Sequence, residues 1–346
     1  MRLKHQLPRQ NDRYFPAVVA SLALIALSLR ATPSNRVHLS TKFTPGEILR
    51  YQIESSTTTN NKMETPIENP EAASKSRQNV SLILRINVLN PPSGHGEPPG
   101  SARLRATYEK SSATFESDAY DPAGSTLQDQ YKNLEGRSLE YTVEPDGTLS
   151  HLSGIDDLLS NPVVAENVRS WMNGLSSSVR IPKGGVEIGQ KWSNEQPIEG
   201  TPLGGLIWRN QSAYLRDEPC YPSDVPPKPS ASEESAPTVG TNAANASCAV
   251  IVTQFKIIRR GDATPDDYAS KKLDTSGTWT GSGGSLESIS LADGTLIRST
   301  QNATQDMDVI IQSARSGSKI HYVGHVVSRS EISLLPAEPP SAASQP

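Results

Sequence analysis

Large apolar side chains are scarce in this chain. It has four phenylalanines, four tryptophans and four methionines in 346 residues, and aromatics of all kinds reach only 5%. That shortage excludes a thick, many-layered core. Together with 27 prolines and many serines and threonines, it favours extended, loop-rich β-structure over helix bundles. A basic excess is missing too. The net charge of −4 provides no cationic field for nucleic acid. Sequence motifs for chemistry are equally absent: there is no Gly-x-Ser-x-Gly elbow, no His-Glu-x-x-His helix and no P-loop. No cofactor is implied.

Only one long apolar run exists, and it is terminal. Arg2, Lys4, Arg9 and Arg13 precede an uncharged stretch from Phe15 to Leu29, the pattern of an export signal. Its length is at the upper end of the ~7–15 residues of a signal-peptide core and short of the ~20 that span a bilayer comfortably. Residues 1–31 are therefore read as a signal peptide or an N-terminal membrane anchor. Cleavage is the first reading. Arg30 interrupts the small-residue cleavage pattern, however, and retention would leave the basic start in the cytoplasm and the rest displayed outside. The protein is expected to be exported, periplasmic or secreted, with an inner-membrane tether as the alternative.

Cys220 and Cys248 are the whole cysteine complement. An even count in an exported chain favours a disulfide; two unpaired buried thiols are the alternative. The segment between them contains Val-Pro-Pro-Lys-Pro-Ser and reads as a disordered insertion over 221–247. Strand-like runs flank it, so the bridge is expected to staple the base of a hairpin.

Strand patterning dominates the rest. Val80, Leu82, Leu84, Ile86 and Val88 fall on one face of a period-two run, with Ser81, Arg85 and Asn87 on the other. Leu104, Ala106 and Tyr108 repeat the pattern. Leu127, Tyr131 and Leu134 recur at helical spacing, predicting a short helix from Ser125, its cap, to Gly136. Asn161 and Pro162 open a longer helical region. Behind them Val164, Val168, Trp171, Met172 and Leu175 form an apolar stripe, the candidate face for an apolar ligand. Ser153 to Ser160 reads as a separate helical turn. Gly277 to Ser288, rich in glycine, reads as strand, bend and strand.

The second half echoes the first. Val186–Glu195 (VEIGQKWSNE) resembles the opening Thr44–Glu54 (TPGEILRYQIE), and Ser290–Arg298 (SLADGTLIR) resembles Thr142–Ser150 (TVEPDGTLS), with order and spacing kept. An internal duplication of a β-meander is one reading; the commonness of such turn dipeptides is the other. The expected organisation is a first meander half over 40–152, a helical connection over 153–180, a second half over 181–335 and a disordered tail over 336–346. Roughly ten to twelve strands are more than an open twisted sheet usually holds without curling or splitting. The fold class is mainly β: a long-stranded antiparallel curled sheet, half-barrel or sandwich with one mid-chain helical region.

Residues that bear chemistry are dispersed. His321 and His325 share a strand face but lack a third ligand in the sequence, so they read as solvent-side residues rather than a metal site. Asp156-Asp157 and Asp266-Asp267 read as helix-start acids. Asn79, Asn210, Asn245 and Asn302 begin N-x-Ser/Thr acceptor sequences, relevant only in a eukaryotic secretory pathway.

FTPGEILRYQIE, VEIGQKW and SLADGTLIRST together resemble an uncharacterised family of bacterial exported proteins that pair a G-x-x-W opening with later Asp-Gly hairpins. That resemblance implies a β-rich exported protein and lends no catalytic residues. In architecture, long strands with a helix across them also look similar to envelope half-barrel lipid carriers. The function expected is a non-catalytic envelope protein that binds lipid or another apolar ligand between a curved sheet and the Pro162–Leu175 helix. A structural or protein-interaction module of the envelope is the alternative, and a hydrolase the remote one. Partners would be that ligand or an envelope protein, with membrane contact only through an uncleaved N-terminus.

Overall fold

The computed structural model describes residues 36–65, 73–90, 100–119, 122–145, 147–153, 172, 181–198, 200–220 and 246–336. From Val37 onward the chain forms one compact unit. Its strands are β1 (Ile48–Glu64), β2 (Ala73–Val88), β3 (Ala102–Ser117), β4 (Ser138–Val143), β5 (Leu149–Ser153), β6 (Lys191–Pro197), β7 (Leu206–Pro219), β8 (Ser247–Arg259), β9 (Leu273–Ser290), β10 (Leu296–Ser313) and β11 (Lys319–Leu334). Helix α1 (Pro122–Leu134) joins β3 to β4, and a single turn, α2 (Asp266–Ala269), joins β8 to β9.

All eleven strands belong to one sheet in the order β5-β4-β3-β2-β1-β11-β10-β9-β8-β7-β6. Every neighbouring pair is antiparallel. The chain therefore starts at the centre, meanders to one edge, crosses to the other edge and meanders back. β11 closes the path by pairing with β1 from Tyr51↔Leu334 to Glu64↔His321. A single sheet removes the sandwich alternative. Among the described residues β5 and β6 remain the two edges, so the sheet is open.

Period-two alternation generates these strands. Val80, Leu82, Leu84, Ile86 and Val88 are all buried, as are Leu104, Ala106 and Tyr108 on the neighbouring strand. The face that carries them is called inner below. Each Val, Leu or Ile among them contributes roughly 1.5–3 kcal/mol on leaving water, which fixes the register, because a slip by one residue would turn the whole set outward. Leu127, Tyr131 and Leu134 of α1 pack into the same core.

Three local expectations are corrected. Helix α1 begins at Pro122 rather than at a Ser125 cap; proline suits a first turn, where no backbone donor is needed. The glycine-rich Gly277–Ser288 segment lies within one continuous strand, β9, with no bend dividing it. Ser247, placed in the insertion by sequence, begins β8. Ser153 ends β5, while 154–160 lie outside the described residues, as do 221–245.

The two halves match element by element. Gly46 and Gly189 both have φ of 84°. Each donates its N–H to a strand of its own half, Gly46 to Val88 O at 2.9 Å and Gly189 to Tyr214 O at 2.7 Å. In each turn the first residue's N–H is held at 3.0 Å by the fourth residue's side chain, Thr44 by Glu47 Oε2 and Glu187 by Gln190 Oε1. A helical element follows the third strand, and an Asp-Gly turn follows the fourth, with Gly147 and Gly294 at φ of 82° and 72°. Strand order is the same in both halves, as duplication requires. β11 is the second half's extra strand.

Cross-strand ion pairs mark the outer face. Arg50 meets Glu109 at 2.6 Å, Glu140 meets both Arg103 and Arg105, and Arg298 meets Glu331. Alternation thus yields one apolar and one charged face.

Candidate functional site

The expected apolar ligand face is only partly within view. Met172 is buried and belongs to the main core. Val164, Val168, Trp171 and Leu175 lie outside the described residues.

The cysteine pair is joined. Cys220 and Cys248 form a disulfide with a Cα–Cα distance of 4.9 Å. It links the end of β7 to the start of β8, and the Cys220 N–H donates to Ala246 O at 2.8 Å. The bridge therefore staples the base of this antiparallel pair, as expected from sequence, with Ile297 packed against it.

His321 and His325 sit on the outer face of β11 and meet carboxylates from other strands. His321 Nε2 lies 2.8 Å from Asp308 Oδ1 on β10, and its Nδ1 lies 3.1 Å from Glu64 Oε2 on β1. His325 Nδ1 lies 2.6 Å from Asp306 Oδ1. The Asp308 hydrogen bond, followed by that of Glu64, raises the His321 pKa above its ordinary value. Lys62 first, then His321, lower that of Glu64. Among the described residues, no group of three or more His, Cys, Asp or Glu side chains is arranged to hold a metal ion. These histidines are strand-pairing residues on a solvent face, and strand register supplies the partners that sequence spacing hid.

The second half's inner face holds a different arrangement. Its apolar packing divides into two clusters. One holds Tyr214, Ala249, Ile251 and Ile289 as part of the main core. The other, farther along the same strands, gathers Leu203, Leu206, Ile257, Met307 and Val309. Between them runs a polar band. Register aligns Ser212 with Thr253, Thr253 with Ser285, and Ser285 with Gln301. The next row aligns Asn194, Asn210, Phe255 and Gly283.

This band lines a trough of about 810 Å³. Its residues come from β6 at one side and from β10 and β11 at the other. Five strand spacings of about 4.8 Å would hold β6 and β11 far apart in a flat sheet, so sharing one trough requires the sheet to curl. Glycine makes the curl affordable in space: a Cβ on Gly283 would stand 2.1 Å from Asn302 O and 2.5 Å from the Phe255 ring.

Ser212, Thr253 and Ser285 form a buried floor, with the Ser212 and Thr253 hydroxyls 2.8 Å apart. Asn210 Nδ2 donates to Asn194 Oδ1 at 2.8 Å, which fixes both amides. Trp279 Nε1 donates to Gln305 Oε1 at 3.0 Å, orienting that amide with its NH2 group left to donate. Trp208 and Phe255 pack edge to face, centroids 5.3 Å apart at 87°. None of the residues lining the trough carries a charge. The arrangement can exchange hydrogen bonds in both senses and offers an apolar flank. It has hydroxyls but no histidine or carboxylate among its lining residues; the buried carboxylate of Glu287 lies two residues beyond Ser285 on the same face of β9.

Sequence reading missed this site. On each strand separately, a Ser, Thr or Gln at an inner position looks like an ordinary break in alternation. The available signal was that neighbouring strands break at the same level, which becomes visible only once register is known.

No protein-family model and no curated protein matches the chain. Among solved structures, the outer membrane protein OprG from Pseudomonas aeruginosa shares 7% identity, covering 86% of this chain and 99% of that one, with a TM-score of 0.18. A chain described under "asymmetric conductivity of engineered proteins" shares 8%, covering 82% and 99%, with a TM-score of 0.17. Superpositions this poor carry no argument about fold or role.

Proposed function

We propose that this chain is an exported, non-catalytic binding protein that holds an uncharged polar ligand in the trough of its second half. The observation that carries the reading is the trough's lining: hydroxyls and amides converge there, with no charged side chain among the lining residues. Polar rows on an inner face carry a desolvation cost that apolar residues would avoid; here the Ser212–Thr253, Asn210–Asn194 and Trp279–Gln305 bonds offset part of it and leave further donor and acceptor positions for a ligand. Export is supported by the basic-then-apolar N-terminus and by the disulfide, which belongs to oxidising compartments. The apolar-ligand alternative rests on the Val164–Leu175 stripe, of which Met172 alone is described, buried in the main core. An interaction role draws on β5 and β6, the two edge strands of the sheet among the described residues.

Hydrogen–deuterium exchange on the full chain, purified without denaturation from the exported fraction and compared before and after extensive dialysis, tests the trough. Slower exchange over Leu206–Pro219 and Ser247–Arg259 in the undialysed sample is the expected result. Identical exchange, with no small molecule released by native mass spectrometry, would remove the reading.

A further inference from the structure

We infer that the ligand of this trough is a neutral oligosaccharide segment. The inference rests on the reading of the trough as a ligand site and names the class of ligand.

The first reason is charge. A phosphate, carboxylate or ammonium ligand would bring an ion into a trough whose lining offers none to pair with it, and leaving water without a partner costs a charged group far more than a neutral one. The second is hydrogen-bonding sense. Sugar hydroxyls both donate and accept. Side-chain amides do the same through their NH2 and carbonyl groups, and the trough presents amides at Asn194, Asn210, Gln301 and Gln305. Three of these are pre-oriented. The Asn210–Asn194 bond leaves the Asn210 oxygen to accept and the Asn194 NH2 to donate, and Trp279 leaves the Gln305 NH2 to donate. Fixed polar groups of this kind cost a ligand less ordering than free ones.

The third reason is the aromatic flank. Pyranose rings combine polar rims with apolar C–H faces, and Trp208 and Phe255 place apolar surface beside the amide pair. A lipid chain would cover that flank but would strip water from the floor hydroxyls and return no hydrogen bonds. An extended peptide would pair with the backbone edge of β6 and leave the side-chain amides and hydroxyls of the trough unused. The volume of about 810 Å³ falls within the range of small-molecule sites. Asn210 begins an acceptor sequence, but its nitrogen is engaged inside the trough, which assigns that residue to binding rather than to glycan attachment.

Isothermal titration of the full chain with maltohexaose, cellohexaose and chitohexaose tests the class, with hexagalacturonate as the charged control. Saturable binding of at least one neutral hexasaccharide is expected, with hexagalacturonate binding at least tenfold more weakly. Gln301→Ala removes an amide that makes no side-chain hydrogen bond among the described residues, so it leaves the fold intact and should weaken binding at least tenfold. Trp208→Ala should do the same, with disulfide content and circular dichroism confirming its fold. Binding unchanged in both variants would overturn the assignment. So would tighter binding of hexagalacturonate. If no hexasaccharide binds while native mass spectrometry releases a lipid or peptide whose presence protects β7 and β8, the oligosaccharide class fails and the ligand site stands. Absence of any ligand and any protection defeats both.

Discussion

His321 Nε2 stands 2.8 Å from Asp308 Oδ1 across the β10–β11 pair, and the same ring reaches Glu64 on β1 through its other nitrogen. One imidazole thus ties together three strands, two of them the β1–β11 seam that joins the halves.

That clasp is pH-dependent, and its sign follows from the direction of the shift. The folded pKa of His321 is raised, chiefly by Asp308 and then by Glu64. Its stabilisation is therefore complete below the unfolded value of about 6.5 and is lost as pH rises through the higher folded value. An NMR titration of His321 should give a midpoint above that of an unfolded peptide, and Asp308→Asn should move it back down. A midpoint that ignores the substitution would contradict the pairing.

Gly46 and Gly189 should respond alike to replacement. Both have φ of 84°, and nothing lies within 4 Å of a Cβ built on either. The cost of Gly→Ala is then backbone strain alone, about 1–2 kcal/mol at each. Urea denaturation of the two single variants should give losses agreeing within about 0.5 kcal/mol, and the double variant should lose their sum to the same tolerance, as distant independent sites do. Unequal losses would separate the two turns energetically.

The disulfide closes a sequence separation of 28 residues. On the chain-entropy account, its removal should cost about 3–4 kcal/mol. The double variant Cys220→Ser/Cys248→Ser should show this as a lower denaturation midpoint, with an equal or steeper slope because the unfolded chain is no longer cross-linked. Native protein should show no reactive thiol. Modification of either cysteine before reduction would be incompatible with the bridge.

Gly283→Ala should be far more damaging than Gly284→Ala, although the two are neighbours. A Cβ at 283 would strike the Asn302 carbonyl and the Phe255 ring, whereas at 284 the nearest atom is Thr253 O at 3.2 Å. Overpacking of the first kind costs about 1–3 kcal/mol. Because the Phe255 ring must move, Gly283→Ala should also alter the near-ultraviolet dichroism of its partner Trp208. Equal stabilities for the two variants would show that the glycine is not needed for close approach.

Much of this architecture is legible along the chain. Alternation at Val80–Val88 and at Leu104–Tyr108 determines strands and their buried face, because side-chain period and backbone pleat coincide. The paired turns at Gly46 and Gly189 are likewise visible, since few residues accept a positive φ there. The cysteine pair signals its bridge by count and by the strand-like runs beside it.

Long-range register decides the rest. Ser212, Thr253, Ser285 and Gln301 become one row only when β7, β8, β9 and β10 align. Glu64, Asp308 and His321 become neighbours only when β1 and β10 flank β11. Local propensity sets which face a residue takes, a choice made within a few residues of chain. Which residue stands opposite is set by hydrogen bonding between segments far apart in sequence, and for that reason the trough and the histidine clasp belong to the tertiary structure alone.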